Sequence, residues 1–277
     1  MSDNHYEYIL GVSWGNDSVA LVQHVYDFGL RNVVCLYNDT GWSMPTLEGI
    51  ESWLDRVLRL ETWAQSLGFK TARTESIGME ALVHERRGWP RQGIQFCTEI
   101  LKMKPTQDWL DIHDPNKSSI CVNGKRRAES KIRSEIPEWV ESSLAHGGRK
   151  LWQPLYAHSD EDRDALLART GEPKLLHKSW ECMVCVNANR KDLLEAPEIA
   201  IAKIEQIERD LGVGVRSGKP KTMFRPKAKM GATGIREVIR WAQAGHGKYT
   251  PLDENLMDDG TGPSESSTGC DGGFCGT

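Results

Sequence analysis

The run Tyr6-Glu-Tyr-Ile-Leu-Gly-Val12, continued by Ser13-Trp-Gly-Asn-Asp-Ser18 and then by a helical stretch from Val19 to Leu30, decides the fold. A short apolar run delivered by a polar, glycine-containing turn into a helix reads as strand, turn and helix. Such a turn presents backbone N–H groups at a helix N-terminus, which is a natural anion site. Ser13, Gly15, Asn16, Asp17 and Ser18 supply hydroxyl and amide donors without bulk at the closest approach. The same residues equally describe an ordinary capped helix, with Asp17 or Ser18 as the cap. The ending is not the Gly-Lys-Ser/Thr of a P-loop.

Working outward, Asn32-Val-Val-Cys-Leu-Tyr37 is a second buried strand, and Phe69 to Thr74 and Ser118 to Val122 are two more. Pro45 opens a long amphipathic helix with Ile50, Leu54, Val57, Trp63 and Leu67 on its apolar face. Further helices are predicted at Met79 to Arg86 and at about Thr98 to Leu110, the latter made irregular by Pro105. Alternating strands and helices predict an α/β fold with a parallel sheet flanked by helices. After residue 180 the chain becomes helical, with Ala200, Ile204, Ile207 and Leu211 on one stripe, Gly212 as a stop signal and a helix from Ile235 to Ala242. The expected division is a nucleotide-binding domain over 1–180, a helical cysteine-bearing extension over 181–252, and a mobile Gly-, Ser- and Asp-rich tail over 253–277.

Composition narrows the function. With 35 Lys and Arg against 39 Asp and Glu, the net charge of −4 disfavours a dedicated DNA binder. No stretch approaches the roughly 20 apolar residues of a membrane span, and the start of the chain has no signal-peptide pattern. The seven cysteines fit a reducing cytoplasm, where close pairs bind metal or do redox work. Cys35 and Cys121 sit in apolar runs and read as buried strand residues.

The turn at 13–18 resembles, as Ser-x-Gly-x-Asp-Ser, the phosphate loop of the ATP pyrophosphatase superfamily. More specifically the chain is similar to its phosphoadenosine phosphosulfate (PAPS) reductase family, with further blocks in order: Tyr37-Asn-Asp-Thr-Gly41, Phe96-Cys-Thr-Glu-Ile-Leu-Lys-Met-Lys-Pro105, Asn123-Gly-Lys-Arg-Arg-Ala-Glu-Ser130, and Trp152-Gln-Pro-Leu155 with Ser159-Asp-Glu-Asp162. Together these cover about 6–190 and imply a Rossmann-like sheet of the adenine nucleotide alpha hydrolase type. One departure stands out: the superfamily's Gly-Gly is Trp14-Gly15 here. The family's sulfonucleotide reductases carry an aromatic at that place, whereas its ATP-using members keep the Asp-Ser ending seen in Asp17-Ser18.

The resemblance gives roles to other residues. Lys125, Arg126 and Arg127 follow a predicted strand, at the end where open α/β sheets place ligands, and suit phosphate or sulfate; a solvated basic loop is the plainer reading. Asp39 suits Mg²⁺ beside nucleotide phosphates, and equally the capping of a turn. Trp42 beside it is a candidate to stack on adenine, whereas Trp53, Trp63 and Trp241 read as core. Cys97, Cys182 and Cys185 resemble three ligands of the family's iron–sulfur members, with Cys270 or Cys275 available as a fourth. Tetrahedral zinc on Cys182, Cys185, Cys270 and Cys275 fits nearly as well. Cys275 is also placed like the reductases' near-terminal nucleophile.

The leading expectation is therefore ATP-dependent adenylation of an acceptor such as DNA or tRNA, followed by sulfur transfer from a sulfur donor using an iron–sulfur cluster, with Asp17, Asp39 and Cys275 as the catalytic candidates. The alternatives are a thioredoxin- or glutaredoxin-dependent reductase of PAPS or APS, and a non-catalytic nucleotide-binding module with structural zinc. A homo-oligomer is expected in each case.

Overall fold

A computed structural model describes residues 6–91, 93–131, 133–224 and 234–244. The expectations for the tail, including Cys270 and Cys275, lie outside the described residues. The chain forms two compact units: one takes the described residues up to Ile77 together with Thr98–Glu181, the other Gly78–Cys97 together with the described residues from Cys182 onward.

In the first unit, β1 (Tyr8–Val12), α1 (Asn16–Asp27), β2 (Val33–Asp39), α2 (Trp53–Ser66) and β3 (Lys70–Glu75) alternate as the sequence predicts. In the second, α3 spans Met79–Glu85. The chain then runs through α4 (Phe96–Thr98), a π-helical turn (Glu99–Met103) and α5 (Lys104–His113) to β4 (Ile120–Val122) in the first unit. A hairpin, β5 (Trp139–Ser143) and β6 (Arg149–Trp152), and α6 (Asp160–Arg169) complete that unit. The sheet order is β3-β2-β1-β4-β6-β5, with β5 alone antiparallel to its neighbour. Buried on both faces, β2 is almost wholly hidden, as a central parallel strand must be. Ile9, Val34, Leu36, Leu110, Cys121 and Leu151 form the core over one face, so Cys35 and Cys121 are both strand-core residues.

Differences from the sequence reading have local causes. The helix expected from Pro45 starts at Trp53, because Ser52 caps it by accepting from the Asp55 N–H at 3.0 Å. Its buried stripe is therefore Trp53, Val57, Leu60 and Ala64, while Ile50 and Leu54 are exposed. Pro105 has no N–H for the Leu101 carbonyl, and the preceding turn widens into the π form rather than breaking. The β5–β6 hairpin was not legible, since Trp-Val-Glu-Ser-Ser and Arg-Lys-Leu-Trp are short and carry charge.

The second unit also contains α7 (Arg190–Leu194), α8 (Glu198–Leu211) and α9 (Ile235–Gln243). Ala200, Ile201, Ile204 and Ile207 line the buried face of α8, and Gly212, at φ 59°, ends it. The Glu208 carboxylate accepts from the N–H groups of Met223 and Ile235, both at 2.9 Å, which fixes the approach to α9.

Candidate active site

The turn after β1 is wound on two hydroxyls. The Ser13 N–H donates to Ser18 Oγ at 2.9 Å, the two Oγ atoms lie 3.0 Å apart, and the Gly15 N–H reaches Ser13 Oγ at 3.4 Å. Trp14 adopts a left-handed φ of 63°, a conformation costing an L-residue about 1–2 kcal/mol. Its indole is fully buried rather than exposed to solvent in the turn. Gly15 is the N-cap of α1 and no side chain caps the helix, so the expected capping by Asp17 or Ser18 does not occur. The N-terminus of a helix without a side-chain cap favours an anion. Asn16 is spent on structure: its amide donates to the Leu175 carbonyl and accepts the Leu175 N–H, both at 3.0 Å.

The opposing wall is the turn after β4. From β1 the chain crosses to β2 on one side, and β4 lies on the other, so the carboxyl ends of β1 and β4 flank the topological switch point where open α/β sheets bind ligands. Gly124 meets α1 there: a Cβ on it would stand 3.0 Å from the Asp17 carbonyl oxygen and 3.5 Å from Leu21 Cβ. Asn123 is buried beside it, its Oδ1 accepting from the Lys125 N–H at 3.2 Å, while its Nδ2 has no partner among the described residues. An orphaned buried donor at a switch point fits a ligand carrying acceptors, as a nucleotide does.

The three basic residues of this turn separate. Lys125 is buried, and Arg127 is exposed, its guanidinium 4.9 Å from the Tyr156 ring centroid and its Nε donating to the Ile136 carbonyl. Arg126 is also buried; its Nε donates to Asp17 at 2.5 Å and its Nη2 to Asp160 at 2.9 Å, with Arg163 a further 3.6 Å ion-pair partner of Asp17. Asp17 and Arg126 therefore lock the two turns together.

At the end of β2, Asp39 accepts the Gly41 N–H at 2.8 Å, the turn-capping role anticipated as one of its two readings. Close by lies a buried ion pair that sequence reasoning missed, Lys102 Nζ to Glu181 Oε1 at 3.1 Å. Burial pushes the Glu181 carboxyl up against the pull of Lys102, and the charge of Asp39 adds to the rise. Trp42 is buried and belongs to the packing. Also missed was Arg56 of α2, whose Nε donates to the Trp14 carbonyl at 3.0 Å and whose Nη1 lies 3.6 Å from Glu172. Lys102 stood in a quoted motif block and was the one legible signal; Arg56 and Glu172 lie in no motif.

Cys97, Cys182 and Cys185 all belong to the second unit, Cys185 exposed. Among the described residues no three His, Cys, Asp or Glu side chains gather as metal ligands.

The model of the phosphoadenosine phosphosulfate reductase domain matches residues 7–180. The chain is similar to the PAPS reductase of Candida auris in its phosphate complex, at 12% identity and a TM-score of 0.41, over 62% of this chain and 74% of that one. It is similar to the NMN synthetase of Francisella tularensis, at 12% identity and a TM-score of 0.41, over 77% and 80%. A third likeness is to the Candida glabrata FMN adenylyltransferase with FMN and AMPCPP, at 14% identity and a TM-score of 0.35, over 61% and 49%. No curated protein matches the chain. No helix among the described residues is long and apolar enough to cross a membrane.

Proposed function

We propose, from the premise that the chain belongs to the phosphoadenosine phosphosulfate reductase domain family, that it binds ATP between the carboxyl ends of β1 and β4, adenylates an acceptor and passes sulfur to it. The observation that carries this reading is the uncapped N-terminus of α1 facing the Gly124 turn across a switch point. The N–H groups of that first turn and the Ser13 and Ser18 hydroxyls bind the phosphate chain. The unpartnered Asn123 Nδ2 donates to the nucleotide, and buried Lys125 supplies a nearby positive charge. Asp39 is the residue that would hold Mg²⁺, through the oxygen not engaged by Gly41, and the chemistry of that ion is neutralisation of phosphate charge.

In the reaction an acceptor oxygen attacks the α-phosphorus, the α–β phosphoanhydride bond breaks and pyrophosphate leaves. A sulfur nucleophile then displaces AMP from the adenylated acceptor. DNA and tRNA are the acceptor classes of this reading, and a thiol- or sulfide-bearing donor supplies the sulfur. A second reading, reduction of PAPS or APS with Cys275 as nucleophile and thioredoxin or glutaredoxin as reductant, is favoured by the aromatic Trp14 in the phosphate turn.

Anaerobic calorimetry with ATP, APS and PAPS, with assays for pyrophosphate and sulfite on the same sample, tests both. ATP binding with acceptor-dependent pyrophosphate release is expected. Sulfite release from PAPS that disappears in Cys275→Ala would move the assignment to the reductase, and failure of all three nucleotides to bind would remove the reading altogether.

A further inference from the structure

Arg56 lies outside every motif of the sequence, yet it is buried directly against the phosphate turn. Its Nε holds the Trp14 carbonyl at 3.0 Å, its Nη1 faces Glu172 at 3.6 Å, and its Nη2 has no partner among the described residues. No cis peptide bond occurs among the described residues, so the Trp14 carbonyl and the Gly15 N–H point to opposite sides of one planar unit. Fastening the carbonyl on the α2 side therefore turns the Gly15 N–H the other way. That N–H reaches Ser13 Oγ only at 3.4 Å, a weak engagement that an anion would readily replace.

Glu172 also pairs with Arg59 of α2, and three residues further on Leu175 holds both faces of the Asn16 amide. The 172–175 segment is thereby tied at one end to the guanidinium behind the turn and at the other to the first residue of α1. Held between them, Trp14 keeps a left-handed backbone that an L-residue rarely adopts.

Resting on the nucleotide-site reading above, we propose that Arg56, braced by Glu172, is a positioning residue for the nucleotide's phosphate chain: it sets the Trp14–Gly15 peptide so that the Gly15 N–H serves as an anion donor. The nucleoside portion does not depend on it, which separates this role from general stabilisation.

The test compares ATP with adenosine on the full-length protein, by calorimetry for ATP and by displacement of ATP for adenosine. Arg56→Gln is expected to weaken ATP about 10-fold or more while adenosine changes by less than about 2-fold, since only the phosphates use the charge-assisted geometry. Arg56→Lys, which keeps the charge without the fork, should recover part of the loss. Equal weakening of both ligands, or unchanged ATP affinity in a folded variant, would overturn the proposal. Should Arg56→Gln not fold, the same comparison on Arg56→Lys decides: selective loss of ATP supports the role, and unchanged or parallel affinities remove it. A wild-type protein that binds no ATP, APS or PAPS would instead strike down the nucleotide reading itself.

Discussion

Replacing Gly124 by alanine adds one methyl group at the seam between the two turns of the site. The new Cβ would stand 3.0 Å from the Asp17 carbonyl oxygen and 3.4 Å from its carbonyl carbon, both backbone atoms of the first turn of α1. A flexible side chain could swing aside, but here α1 must shift by a few tenths of an ångström. Overpacking of this kind costs about 1–3 kcal/mol. The loss of a glycine from the unfolded chain returns about 0.4–1 kcal/mol, leaving roughly 1–2 kcal/mol of net destabilisation. For a unit of this size that is a fall of about 2–8 °C in Tm. The shifted N-terminus also moves the N–H groups proposed to bind the phosphates, so ATP affinity should fall about 10-fold, more than the small change in stability would suggest. Gly88→Ala is the matched control, because its Cβ would meet nothing closer than 3.9 Å. Scanning calorimetry gives Tm and titration calorimetry gives Kd. If Gly124→Ala matched Gly88→Ala in both, the close approach of the two turns would matter neither to stability nor to nucleotide binding.

Acid should destabilise the first unit through His146. Burial first, then the charges of Lys125 and Arg149, push its pKa from 6.5 down to about 3. The unfolded chain therefore takes up a proton below about pH 6.5 that the folded chain refuses until about pH 3, and stability falls as pH drops through that window; between pH 7 and 5 the loss should be roughly 2 kcal/mol. Urea titrations at the two pH values should show that part of the slope gone in His146→Gln, and an unchanged slope would refute it. Arg149→Met should cost about 3–5 kcal/mol, because it leaves buried Asp114 without the guanidinium that donates to it at 2.7 Å. Adding Asp114→Leu should restore much of the loss in the same urea assay; a single variant as stable as wild type would show that the pair contributes little.

Local sequence carried the strands and helices whose burial follows a simple period. The apolar runs of β1 and β2, and the stripe of α8 with its Gly212 stop, appear where pattern places them. Pattern failed at α2, because the apolar residues Ile50 and Leu54 are exposed while the charged Arg56 and Glu61 are buried. Their burial depends on partners outside the helix: the Trp14 carbonyl, 42 positions back, for Arg56, and Arg73, on the next strand β3, for Glu61. The site shows the same division. The turn at Ser13–Ser18 was readable because a strand, a glycine and a helix start are contiguous. That Asp17 faces Arg126, 109 positions on, and that Lys102 faces Glu181 could only come from the sheet order that brings their segments together. Motif residues thus marked the candidate site, and long-range pairing determined which of their side chains are already engaged within the fold.

The two outermost strands bear on how concentrated solutions of this protein behave. On one flank β3 reads Lys-Thr-Ala-Arg-Thr-Glu and is largely exposed, while on the other β5 breaks register with β6 between Val140 and Ser143. Charge on one margin and a kink on the other deny an incoming copy a flat, apolar ladder on which to grow. Strand-by-strand polymerisation is thereby discouraged at both rims, and a Lys70→Val, Arg73→Val double substitution would remove that protection from one of them.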